Sequence, residues 1–156
     1  MGHLCRVAIS VLAVMVLFPN WVASEENDAL QSLERVRVGL AEGISCRELG
    51  ELLDEAQVQI NTLRKDGGSD CFRAAANQSY YWYDLGRKTW ETMTENTKQR
   101  DKYFRQAEYG EHRMTTINMT MAENYDKLVK HTQDGSPTKW EYGNAALESA
   151  RSCLEQ

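Results

Sequence analysis

The sequence predicts an all-α protein, a compact up-and-down bundle of four to five helices behind an N-terminal signal peptide. Three observations carry that expectation. Apolar side chains recur at steps of three and four over most of the chain. Runs of alternating β-branched residues, the mark of strands, are few. Proline is nearly absent: of two in 156 residues, Pro19 closes the leader and Pro137 sits in a polar turn.

The leader is residues 1–24. Arg6 is its one basic side chain short of the apolar stretch, and it contains no acid. Val7 to Phe18 is an unbroken apolar or small run, Pro19-Asn20 breaks it, and Val22-Ala23-Ser24 offers the small side chains a signal peptidase needs. A run of that length is too short to span a bilayer, which takes about 20 apolar residues. Cys5 precedes the run, where a lipoprotein anchor cannot use it. Cleavage is expected between Ser24 and Glu25, leaving a single helical domain, residues 25–156, with no membrane span, secreted or periplasmic.

The full chain has 18 basic and 23 acidic residues, a net charge of −5, and loss of Arg6 makes it one unit more negative. Its basic side chains are scattered among acids. Nucleic acid and anionic membrane surfaces are therefore disfavoured partners, because phosphate neutralisation needs clustered Lys and Arg. Cys46, Cys71 and Cys153 remain after cleavage. An exported chain meets an oxidising compartment, so one disulfide is expected and one thiol is left over.

A first helix is predicted from Asp28 to Ala41, on the spacing of Leu30, Leu33 and Leu40, with Gly43 as its stop. Ser45-Cys46-Arg47-Glu48 reads as a capping box opening a second helix. Leu49, Leu52, Leu53, Ala56, Ile60 and Leu63 form its apolar stripe, and Gly67-Gly68 ends it. Ser69 or Asp70 caps a third helix, whose stripe includes Phe72, Ala76, Tyr80, Tyr83, Trp90 and Met93. The polar, Thr-rich stretch Thr92–Arg100 predicts a break near Asn96. A fourth helix follows with Phe104, Ala107, Met114, Ile117, Met121, Tyr125 and Leu128. Asp134-Gly135-Ser136-Pro137 reads as a turn, and Thr138-Lys139-Trp140-Glu141 as a second capping box opening a last helix to about Leu154.

The alternative architecture is a stack of helical hairpins. Trp82-x-x-Leu85-Gly86 resembles the opening of the tetratricopeptide repeat pattern, and Phe72-Arg73-Ala74-Ala75 is echoed by Phe104-Arg105-Gln106-Ala107. The resemblance implies paired, stacked helices. It covers five residues, and the repeat's later small and aromatic positions fall here on Lys98 and Lys102.

Helix parity in the five-helix bundle places Cys46 and Cys153 at one end and Cys71 at the other. The second helix, about 30 Å long, separates them by more than a disulfide spans. The expected pair is Cys46–Cys153.

Chemistry-bearing constellations are sparse. The sequence holds no G-x-S-x-G elbow, no H-E-x-x-H and no phosphate-cradling glycine loop. Glu51 with Asp54 or Glu55 lies on the polar, solvated face of an amphipathic helix, a poor setting for acid–base work. Glu108 and His112, one turn apart, are too few ligands for a metal. Met93, Met114, Met119 and Met121 at helical spacing fit core filling better than haem ligation. Asn77-Gln78-Ser79 and Asn118-Met119-Thr120 match the glycosylation rule but fall inside helices. No catalytic residue, metal or cofactor is expected.

The most unusual feature is Tyr80-Tyr81-Trp82-Tyr83, whose rings point in four directions from one helix. With the methionine-rich fourth helix it predicts an exported, non-catalytic interaction module, an adaptor, inhibitor or assembly factor for a protein partner. Its candidate contact residues are Trp82, Tyr83, Trp90, Tyr109 and Met119. The competing expectation is a carrier holding a small ligand between its helices.

Overall fold

The structure is a computed structural model that describes residues 25–66, 68–109 and 112–155. The leader expected at residues 1–24 lies outside the described residues. Every element among them is helical: α1 spans residues 25–42, α2 Cys46–Asp66, α3 Asp70–Tyr109 and α4 His112–Leu154.

The turns between the short helices follow local chemistry. Gly43 takes φ +80°, a left-handed conformation that costs glycine nothing. Its N–H bonds the Leu40 carbonyl, and the Ile44 N–H bonds that of Gly39. This is the Schellman arrangement, which satisfies the carbonyls orphaned at a helix end. Two residues on, the expected capping box forms. The Glu48 carboxylate accepts the Ser45 N–H at 2.8 Å, and the Ser45 hydroxyl accepts the Glu48 N–H at 3.3 Å. Ser69 caps α3 by accepting the Phe72 N–H. The Glu26 carboxylate accepts the Ser69 N–H at 2.6 Å, which ties the start of α1 to the α2–α3 connection.

α3 and α4 form a long antiparallel hairpin. Pairs along it rise on one helix as they fall on the other: Ser79 with Gly143, Gly86 with Trp140, Arg100 with Asp126, Tyr103 with Tyr125 and Ala107 with Thr115. The seam has a heptad rhythm. Phe72, Ala76, Ser79, Tyr83, Gly86, Trp90, Met93 and Thr97 step by four and three along α3. Thr115, Asn118, Ala122, Tyr125, Val129 and Thr132 do the same on α4, continued near its end by Gly143, Ala146 and Ala150.

α1 and α2 pack on one half of this hairpin. The core there joins Leu33 and Val36 of α1, Leu49, Leu53, Ile60 and Leu63 of α2, Phe72, Ala76 and Tyr83 of α3, and Leu147 and Ala150 of α4. Salt bridges Arg37–Glu148 and Arg151–Glu34 tie α1 to α4 across the rim. The core reaches Trp90 on α3 and Trp140 on α4. Beyond them the hairpin continues as a two-helix arm. At 1.5 Å per residue, α2 is about 30 Å long and α3 about 60 Å, so roughly half of α3 has no α2 beside it.

Two expected breaks are absent. α3 runs through Asn96 because it is paired with α4 beyond that point, where Arg100 meets Asp126 and Tyr103 stacks on Tyr125. Thr92, Thr94 and Thr97 each donate to the carbonyl four residues back, at 2.9 to 3.0 Å. The backbone of α4 is helical through residues 134–137, where a turn was expected. The chain reverses instead between Tyr109 and His112, so Glu108 and His112 stand on different helices.

The disulfide changes with them. Cys71 bonds Cys153, with Cα atoms 5.9 Å apart, and Cys46 is free, correcting the expected Cys46–Cys153 pair. Two helices follow Cys71 where three were expected. That odd difference brings Cys153 back to the Cys71 end.

Candidate functional site

The five residues singled out in the sequence do not share a surface. Tyr83 is fully buried and belongs to the core, so it cannot touch a partner. Its hydroxyl donates to Asn144 Oδ1 at 2.6 Å. Burial raises its phenol well above the ordinary tyrosine range. Trp90 is half-buried against Trp140, ring centroids 5.9 Å apart, at the edge of the core. Trp82 is half-buried between Tyr81 and Tyr142, at 5.3 and 4.9 Å. Both tyrosines are exposed. Tyr109 ends α3 at the arm's tip, 83% exposed. Met119 is exposed on α4.

The arm carries the larger apolar surface. Between α3 and α4 its seam buries small and polar side chains: Ala107, Asn118, Ala122 and Val129. Tyr103 stacks on Tyr125, and Arg100 bridges Asp101 and Asp126. Outside this seam, Met114 is 52% exposed, Ile117 51% and Leu128 49%. Met121, half-buried, lies in line with them. Two packed helices satisfy their own seam with one stripe each. α4 has a second stripe, displaced by one residue from the first, and neither α1 nor α2 extends to cover it. The sequence places Met114, Ile117, Met121 and Leu128 in the apolar stripe of the fourth helix; the structure turns that line outward and closes the seam one residue on, with Asn118, Ala122 and Val129. Which stripe is buried depends on where α3 sits, and the expected break at Asn96 misplaces it.

Other sites are poorer in chemistry. Cys46 is partly buried near the Arg87 carbonyl, and burial, helped by the Glu91 charge, raises its thiol pKa. A raised thiol is a weaker nucleophile at neutral pH. Among the described residues no three His, Cys, Asp or Glu side chains gather as a metal site. Among them, too, no helix is long and apolar enough to cross a membrane. No family model matches the chain, and neither the characterised proteins nor the solved structures compared with it give a match.

Proposed function

We propose that this chain is an exported, non-catalytic interaction module whose α3–α4 hairpin docks a protein partner. The observation that carries the reading is the second stripe of α4. Met114, Ile117 and Leu128 are large, apolar and about half exposed on a hairpin whose own seam is already closed. Apolar surface in a contiguous line, rimmed by charge, marks protein contact sites. Polarizable methionines suit such a surface because they adapt to a partner's shape.

Export is supported by the composition of residues 1–24 and by the Cys71–Cys153 bond, which persists in oxidising compartments. The leader is then cut before Glu25. Sequencing of the secreted or periplasmic chain should begin there, and a chain that retains Val7–Phe18 would refute the export reading. The docking surface is tested by a photoreactive residue placed at Ile117 in the producing cell. A covalent adduct with a protein is expected, and its absence would remove the reading.

A further inference from the structure

The heptad frame of the hairpin reveals a pattern its own seam does not use. Phe72 stands at d and Thr115 at a. Positions flanking a coiled-coil seam commonly carry Glu and Lys. Here no c or g position holds Asp, Glu, Lys or Arg, from Ala75 to Gln106 on α3 and from Met114 to Ser152 on α4. The charges of both helices sit at b, e and f, with Arg100 and Lys139 the exceptions at d.

The two flanks of the hairpin therefore differ. The e flank is covered in the bundle half and mostly charged along the arm, where Met119 is its exposed apolar side chain. α2 meets α3 at Arg87, where Gly50 approaches its side chain, and α4 buries Leu147 in the core shared with α1. Further along the same flank stand Asp101, Glu108 and Asp126. The g flank instead presents Trp82, Tyr103, Met114, Met121, Leu128 and Tyr142. Met114, Leu128 and Tyr142 are exposed.

We propose that a second copy of this chain covers the c/g face, two hairpins packing face to face as a layer of four helices. The proposal rests on reading the hairpin as an interaction surface and names its occupant. Three features select a second copy. A face free of charge meets itself across a two-fold axis without like-charge repulsion, whereas surfaces that select a different partner use complementary charge. The register of α4 is self-complementary. Met114, Ile117, Met121, Asn124, Leu128 and His131 step by three and four. Run antiparallel against its own copy, the stripe sets Ile117 opposite Leu128, Met121 opposite Asn124 and Met114 opposite His131, with each layer in step. In this register the copies overlap from Met114 to His131, about 25 Å of helix, and two helices side by side make a face about 20 Å wide. That is on the order of 500 Å² per copy, about 1,000 Å² in all, the size at which specific interfaces begin.

Sedimentation of the purified chain over a range of concentrations tests this. A dimer is expected, converted to monomer by Met121→Lys and by Leu128→Lys, with circular dichroism and the Cys71–Cys153 bond unchanged. Lys127→Glu, at an f position, should leave the dimer intact. In a Cys46→Ser background, a mixture of Met121→Cys chains with Asn124→Cys chains should oxidise to mixed disulfide dimers. A dimer that survives both lysine variants, or that fails to link in the mixture, overturns the proposal. So does a chain that is monomeric at every concentration. In that last case the photoreactive Ile117 chain separates the two readings. Capture of a different protein removes the second copy and leaves the interaction module, while capture of nothing removes both.

Discussion

Two glycines set how closely α3 and α4 approach. A methyl group added at Gly143 would lie 2.7 Å from the Tyr83 ring, and one added at Gly86 would lie closer still to the Trp140 indole nitrogen. Both obstacles are rigid rings, held in turn by neighbours. Ser79 donates to the Gly143 carbonyl at 3.0 Å on the same side. Gly143→Ala gains a little helix propensity but must push the two helices apart. Overpacking of this kind costs about 1–3 kcal/mol, so a net loss is expected in the urea midpoint; an unchanged midpoint would show that the ring moves freely. Tyr83 itself makes a pH prediction. Burial favours its neutral form, so the folded chain holds the phenolic proton more tightly than the unfolded chain. The unfolded phenol titrates near pH ~10. The stability this group supplies is whole below that pH and is lost as pH climbs from there toward the folded value. Denaturation midpoints measured through that alkaline range should fall more steeply for the native chain than for Tyr83→Phe. Parallel curves would mean that Tyr83 ionises without unfolding.

At the scale of elements, the short helices were legible and the long ones were not. α2 was readable because its signals are local and agree: a capping box at Ser45, a leucine stripe, and glycines beyond it. The same holds for the Gly43 stop. Asn96 and Asp134–Pro137 carry local signals for ending a helix, yet the helices continue, because each is packed along the other. Tertiary pairing of that length overrides propensity. One miscounted helix was enough to send Cys153 to the wrong end and to pair it with Cys46. The candidate site suffered likewise. Tyr83 stands both in the apolar stripe predicted for the third helix and among the candidate contact residues; burial decides for the stripe, and Gly143, against which its ring packs, lies 60 residues away in sequence. The corrected disulfide yields its own test. Cys71–Cys153 closes a loop of 82 residues and staples the free end of α4 to the start of α3. Its removal by Cys71→Ser should cost about 2–5 kcal/mol. Cys46→Ser, which deletes only a weak contact with the Arg87 carbonyl, should stay within about 1 kcal/mol. Equal losses from the two variants would be inconsistent with the observed bond.

Across the whole molecule, the packed core and the proposed docking surface are centred on opposite ends of one hairpin. The bundle half is held by a core of large side chains from all four helices, by the disulfide and by the Arg37–Glu148 and Arg151–Glu34 bridges between α1 and α4. The arm buries one narrow seam of Ala107, Asn118, Ala122 and Val129 and leaves its larger apolar groups in solvent. Local opening free energy follows buried apolar contact. Amides between residues 76 and 90 should therefore exchange only through global unfolding, whereas those between residues 97 and 107, and between 115 and 129, should open more readily. Both sets lie in uninterrupted helices, so secondary structure alone predicts no such gradient. Hydrogen exchange read by mass spectrometry decides the matter. Uniform protection along α3 in a monomeric sample would mean that the arm draws stability from something other than its seam. In a sample where the arm is covered, its protection should rise with protein concentration while that of the bundle half stays constant. A rise in both would mean that association tightens the whole fold, and the division of labour between the two ends would be lost.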